Sequence, residues 1–422
     1  MSTLPLIQDY DAEAPLFWRG TQALTQGRWL GAVMALAERL PEAAYYLPLL
    51  EDRAAFSLLL GASLVRGKPC LLPASNGADH LAKLRDTYPQ ALTVSELPDA
   101  GFDAPRWTGA VPEIPAQQTA VIIHTSGSTG MPQAHSKSWA ALRATAPLIR
   151  DRFGSGVNIV ATVPSQHMYG LETTVMMALA ASCPAHSGRP FFPADVAAAL
   201  QDLPAPRAWV TTPVHLRACL ASAATLPPLA HIVSATAPLS RELALQAEAR
   251  FQTPVHEIYG CTEAASLATR RTTLEEYWTL YPGLSLSQKN DETFLRAPYL
   301  DEPVRLTDLI EPMPQGRFHL RGRLEDQFKV AGRRISLSEL TQVLLAIPGV
   351  VDGVVFAPED GIAARPAALA VAPGLDEEAI RAAMAKKLDA VFVPRPVRCV
   401  QSLPRNAVGK LPREALRELL RG

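Results

Sequence analysis

"HTSGSTGMPQAHS", residues 124–136, is the stretch from which the rest of the chain is read. Directly before it stands "TAVII" (119–123), apolar and β-branched as a buried strand is. Ser126, Gly127, Ser128, Thr129 and Gly130 then follow without a break. Side chains this small have little to pack against. Gly127 and Gly130 allow positive φ and close backbone approach. Consecutive N–H groups then form a concavity that accepts an anion, and the three hydroxyls add donors. A helix expected over "KSWAALRATAPLIRDRF" (137–153) adds the positive end of its dipole. That chemistry suits a polyphosphate, and the same residues alone suit a plain surface turn. The chain contains neither a G-x-x-x-x-G-K-[ST] loop nor a G-x-G-x-x-G string.

Outward from this loop, strand and helix patterns alternate. "AYYLPLL", "PCLLPA", "NIVATVP", "AHIVSAT" and "VHEIYG" read as strands, and 53–66 and "HLAKLRDTY" as helices. The alternation predicts an α/β fold with a mostly parallel sheet. Near 316–335 the rhythm changes to tight turns and hairpin-like strands. A helix starts at "SLSELTQVLLAI", where Ser336 and Glu339 have capping-box spacing. The expected division is a large α/β domain over 1–324 and a small α+β domain over 325–422.

The 422 residues are too many for one ordinary core. Apolar residues at 48% and charged residues at 19% indicate a globular chain, and a net charge of −1 argues against a nucleic-acid binder. Five scattered cysteines without a C-x-x-C pair fit a reduced, cytoplasmic protein. No H-x-x-x-H spacing suggests a transition-metal site. The N-terminal residues lack a signal-peptide pattern. The apolar run 54–65 is too short to span a bilayer and reads as a buried helix.

Three further segments bear on the loop. "EIYGCTEAA" (257–265) puts an aromatic, a glycine, a threonine and a carboxylate after a strand. "RGRLEDQFKVAGRRI" (321–335) puts Arg323 at the domain junction, and "LPRNAVGKLPREAL" (403–416) offers Lys410 on a glycine loop. In order and content these segments resemble the adenylate-forming enzymes: acyl- and aryl-CoA synthetases, nonribosomal peptide adenylation domains and firefly-type luciferases. The resemblance runs from about residue 45 to the end. It implies a compact member with a shortened N-terminal part and a mobile C-terminal domain.

The resemblance implies roles for single residues. Thr125, Ser126, Gly127, Ser128, Thr129 and Gly130 match the loop that holds the β- and γ-phosphates of ATP, with Gln133 where a lysine is usual. Tyr259 matches the aromatic that stacks on adenine, beside Gly260. Thr262 matches the α-phosphate contact and Glu263 the Mg²⁺ ligand. Ala235 and Thr236, in "SATAPLS", replace the usual glycines that line the adenine and acyl pockets. Asp308 in "LTDLIE" matches the ribose-hydroxyl acceptor and Arg323 a ribose or phosphate contact. Glu325 stands at the hinge where aspartate is usual. Gly332 matches the glycine that leaves room for a pantetheine tunnel, and Lys410 the catalytic lysine. His167, in "VPSQHMYG", matches an aromatic or histidine gate at the acyl carboxylate; a neutral core histidine is the competing reading. His124 and His135 flank the loop without an assigned role.

The activity so implied is ATP-dependent activation of a carboxylic acid to an acyl-AMP. Transfer follows to the phosphopantetheine thiol of an acyl carrier protein or of coenzyme A. The expected acid is a small aromatic one such as a hydroxybenzoate, with His167, Tyr169, Gly170, Thr212, Pro213 and Ala235 around it, and with Trp209 and Thr211 nearby. A short or medium aliphatic acid is the alternative. Arg333, Arg334, Lys386, Lys387, Arg395 and Arg398 suit either an acidic carrier protein or a solvated rim. A degenerate nucleotide-binding scaffold, motivated by Gln133 and by the missing glycine of the T-G-D motif at "LTDLIE", and an ordinary P-loop nucleotidase are the readings from other classes.

Overall fold

The helix Arg53–Val65 begins where the Asp52 carboxylate accepts the Ala55 N–H at 2.9 Å. Every residue from Arg53 to Leu64 is buried, so the apolar 54–65 run is a core helix. Among the described residues no helix is long and apolar enough to cross a membrane. The computed structural model describes residues 2–97, 101–126, 132–290, 292–323, 327–330, 333–358, 365–405 and 411–421. They form two compact units. The first comprises Met1–Ser234, Ala247–Ala268 and Pro298–Asp301; the second comprises Ala235–Gln246, Thr269–Ala297 and Glu302–Gly422.

In the first unit a five-stranded sheet has the order Ala91–Val94, Tyr45–Pro48, Cys70–Leu72, Thr119–Ser126, Pro132–Ser138. The first four strands are parallel and the last is antiparallel. Leu47 and Leu71 of the sheet pack with Leu81 and Leu84 of the helix Ala78–Thr87. A second array sets Val255–Cys261, His231–Ser234, Arg207–Thr211, Asn158–Ala161, Ala185–His186 and Pro15–Arg19 side by side, all parallel. Gln22–Thr25 closes that edge as an antiparallel partner. The central strands 158–161 and 231–234 are buried throughout, in keeping with the apolar Ile159, Val160, Ala161, Ile232 and Val233 they carry.

One local expectation is corrected. The strand Pro132–Ser138 occupies the place where the helix expected over 137–153 was to begin. It pairs with the 119–126 strand from Thr119 opposite Ser138 to Ser126 opposite Pro132. His135 and Lys137 turn inward while Ala134 and Ser136 are exposed, which is strand alternation. Helix starts only at Trp139, where Ser138 Oγ accepts the Ala141 N–H at 3.2 Å. The segment after Ser126 therefore joins two antiparallel strands, and no helix dipole follows it directly.

The second unit is built from antiparallel pairs. Ser285–Lys289, Glu292–Arg296 and Val304–Leu306 form one sheet. The hairpin Asp308–Met313/Arg317–Arg323 pairs with Trp278–Leu280, and Gln327–Val330 pairs with Arg333–Ser336. Asp352–Phe356, Ala367–Val371 and Val397–Cys399 form a three-stranded sheet. The helices Leu337–Leu345 and Glu377–Ala385 pack on it through Leu340, Leu344, Ile380 and Met384, against Val355, Ala368 and Ala370. Ser336 Oγ accepts the Glu339 N–H at 3.0 Å, so the expected N-cap forms.

Arg405 is tied to Asp352 by three hydrogen bonds of 2.8–3.2 Å, with the side chains only 17% and 15% exposed. Arg405→Ala removes three hydrogen bonds from a largely buried carboxylate. The expected loss is about 1–3 kcal/mol in urea unfolding of the full chain. An unchanged midpoint and slope would show that this pair anchors nothing.

Candidate active site

Open parallel sheets bind ligands at the carboxyl ends of their strands. Four adjacent strands of the first unit end in candidate residues. The 158–161 strand leads into His167, Tyr169 and Gly170; the 207–211 strand into Thr212 and Pro213; the 231–234 strand into Ala235 and Thr236; and the 255–261 strand into Thr262 and Glu263.

The turn after the 255–261 strand is tight. A Cβ on Gly260 would lie 2.4 Å from the Ala265 carbonyl oxygen and 2.8 Å from the Ser266 Cα, so only glycine fits. Ala265, buried, has a φ of +64° as the chain enters the next strand, Ala265–Arg270. Thr236, which belongs to the second unit, has a φ of +75°. A β-branched residue held in the left-handed region costs of order 1–3 kcal/mol, and such strain concentrates at functional sites.

Three parts of the first unit converge on residues 262–266. His135 Nε2 lies 3.2 Å from Thr125 Oγ1 and 3.6 Å from Glu263 Oε1. This links the stem of the hydroxyl-rich loop to the carboxylate 138 residues later. Lys137, 7% exposed, donates to the Glu263 carbonyl at 2.5 Å. The Tyr299 hydroxyl donates to the Ala264 carbonyl at 3.1 Å. Glu172, fully enclosed, accepts from the Ser266 N–H at 3.1 Å, Ser266 Oγ at 2.9 Å and Thr145 Oγ1 at 2.5 Å. Burial pulls the Lys137 ammonium below its ordinary value, while Glu172, Cys261 and Glu263 oppose that shift. Burial pushes the Glu172 carboxyl up, against the hydrogen bonds it accepts. The Glu263 carboxylate itself stays 40% exposed.

On the acid side, the Tyr169 hydroxyl donates to the Val233 carbonyl at 3.0 Å and the Thr211 carbonyl at 3.3 Å. A Cβ on Gly170 would meet the Pro164 carbonyl at 2.0 Å, so this loop folds back on itself. Thr212 is buried, its Oγ1 3.0 Å from His215 Nδ1, and Pro213 opens the helix Pro213–Leu220. His167 is half-buried just before the short helix Met168–Gly170, and its carbonyl accepts the Leu171 N–H at 2.8 Å. Trp209 is fully buried with its ring edge-on to Phe251, a core contact.

Tyr259 is half-buried and Thr262 partly exposed. In the second unit, the strand register sets Asp308 opposite Arg323, bringing together two residues 15 apart in sequence. Gln133 is exposed and opposite Thr125. Gly127, Ser128, Thr129, Gly130, Glu325, Gly332 and Lys410 lie outside the described residues. Sequence reading passed over Lys137, Glu172 and Tyr299 and gave His135 no role. Two signals were present: the period-2 polar series Gln133, His135, Lys137, and a lone glutamate within the apolar run "GLETTVMMALAA" (170–181).

Residues 65–293 match the family described as AMP-binding enzyme, and residues 339–410 match the AMP-binding enzyme C-terminal domain. A 4-coumarate–CoA ligase of Rhodobacter capsulatus is 28% identical, over 85% of this chain and 96% of its own. A 4-coumarate–CoA ligase of Halorhodospira halophila is 30% identical, over 68% of this chain and 73% of its own. The solved o-succinylbenzoate CoA synthetase of Bacillus subtilis, in complex with its acyl-adenylate intermediate, superposes with a TM-score of 0.82. It covers 99% of both chains at 17% identity, which shows a shared fold.

Gly260→Ala forces the 262–264 turn away from Ala265 and Ser266. Overpacking of this kind costs about 1–3 kcal/mol, so the denaturant midpoint should fall. A wild-type midpoint would mean that the turn relaxes without cost.

Proposed function

The chain belongs to the AMP-binding enzyme family, and we propose that it is an AMP-forming acid–thiol ligase acting on a small aromatic acid. The observation that carries this reading is the convergence of the motif residues on the carboxyl ends of adjacent parallel strands, with Thr125 and Glu263 linked through His135. In the first step a carboxylate oxygen of the acid attacks the α-phosphorus of ATP. The acyl–phosphate bond forms as pyrophosphate leaves. Two anions meet, and charge spreads over the phosphoryl oxygens. Lys410 supplies the ammonium for that encounter. In the second step a phosphopantetheine thiol, of coenzyme A or of a carrier protein, attacks the acyl carbon and AMP leaves.

Glu263 suits Mg²⁺: a half-exposed carboxylate is a ligand for a hard cation that keeps several waters. Among the described residues no three His, Cys, Asp or Glu side chains form a metal cage. Such an ion, when bound, would neutralise phosphate charge. Thr262 contacts the α-phosphate, Tyr259 stacks on adenine, and Asp308 and Arg323 hold the ribose. The division at 324/325, with Glu325 as hinge and Gly332 at the thiol channel, lets the small domain exchange the lysine for the acceptor. Tyr169 fits this reading as a fixed wall, because its hydroxyl donates to the ends of two strands. The 4-coumarate specificity named for two relatives supports an aromatic acid.

Pyrophosphate release should depend on an acid in a panel of hydroxybenzoates, cinnamates and aliphatic acids, tested with coenzyme A and with a holo-carrier protein. Lys410→Ala should lower that rate by about 10²–10³-fold or more, yet still convert pre-made acyl-AMP to thioester. Full adenylation by this variant would refute the mechanism, and release of ADP instead of AMP would refute the reaction class.

A further inference from the structure

We infer that Lys137 and Tyr299 are positioning residues which, through the carbonyls of Glu263 and Ala264, aim the Glu263 carboxylate at the cation that accompanies the nucleotide. This inference rests on the ligase reading above. The loop carries Gln133 where its resemblance leads one to expect a lysine. Four residues on, on the same face of the 132–138 strand, stands Lys137. It is not a substitute phosphate ligand, since it is 7% exposed and donates at 2.5 Å to a protein carbonyl.

What it grips is the turn itself. Residues 263–266 are held from three directions. Lys137 takes the Glu263 carbonyl, Tyr299 the Ala264 carbonyl, and Glu172 the N–H and hydroxyl of Ser266. A buried ammonium and a buried carboxylate are a costly way to brace a turn that needs only packing, and an apolar pair usually serves stability as well. Hydrogen bonds from both charges fix backbone direction, which apolar contacts do not. The turn so fixed has a strained exit at Ala265, with φ +64°, and leaves the Glu263 carboxylate 40% exposed. His135 completes the arrangement by setting Thr125 and Glu263 on either side of one ring nitrogen.

The test measures Mn²⁺ binding, by electron paramagnetic resonance, to the full chain with a non-hydrolysable ATP analogue. Amide exchange of residues 262–266 is followed in nucleotide-free protein. Lys137→Met should weaken Mn²⁺ binding about 10–100-fold, as loss of an outer-shell partner does. Lys137→Arg should stay within about threefold, because it keeps the donor and the charge. Tyr299→Phe, which removes one hydroxyl and should fold normally, should weaken binding about three- to tenfold. In each weakened variant the KM for Mg·ATP rises while the KM for the acid holds, and amide exchange at 262–266 quickens. If Lys137→Met does not fold, Tyr299→Phe decides alone. Wild-type Mn²⁺ affinity and wild-type exchange in the folded variants overturn the inference. If the wild-type chain releases no pyrophosphate with any acid, it is the ligase reading that fails, and the inference falls with it.

Discussion

An ammonium taken out of water needs polar groups around it, and that requirement organises the candidate site. Lys137 reaches from an edge strand to the carbonyl of Glu263, with Glu172 within electrostatic range. Both side chains are buried in the first unit, and each is held there by hydrogen bonds of its own. The Thr262–Ser266 turn is where their hydrogen bonds end. Its geometry is thus set by residues 126 and 94 positions away in sequence, counted from Glu263 to Lys137 and from Ser266 to Glu172.

The hydroxyl-rich loop has a different support from the one a strand–loop–helix unit provides. Its two stems are antiparallel strands, locked in register from Thr119 opposite Ser138 to Ser126 opposite Pro132. A helix macrodipole is absent at that point. The exposed Gln133 opposite Thr125 offers hydrogen bonds and no charge.

Strain appears where the chain turns out of its parallel strands. Thr236 follows the 231–234 strand at φ +75°, and Ala265 follows the 255–261 strand and its turn at φ +64°. Neither is a glycine, so each conformation is held against its own preference by surrounding structure. Gly260 and Gly170 show the complementary case, in which close backbone approach leaves no room for a Cβ. The glycines give space, whereas Thr236 and Ala265 hold dihedrals that their surroundings impose.

The α/β alternation, the core helix 53–65 and the Ser336 cap were legible in the sequence, because each depends on local periodicity or on a short capping string. The family was legible only from several short strings taken together in order. The hairpins Asp308–Met313/Arg317–Arg323 and Gln327–Val330/Arg333–Ser336 were also readable, as a change of rhythm near 316–335. What only the tertiary structure decided was which residues meet. The helical period of 139–153 masked the strand before it, because alternation over 132–138 is short and its inward members, His135 and Lys137, are polar. Polar residues look like surface until a partner is known, and the partners of Lys137, Tyr299 and Glu172 lie 126, 35 and 94 residues away. Hydrogen bonds across such separations leave no local pattern, so this network became readable only once strand order had brought its members together.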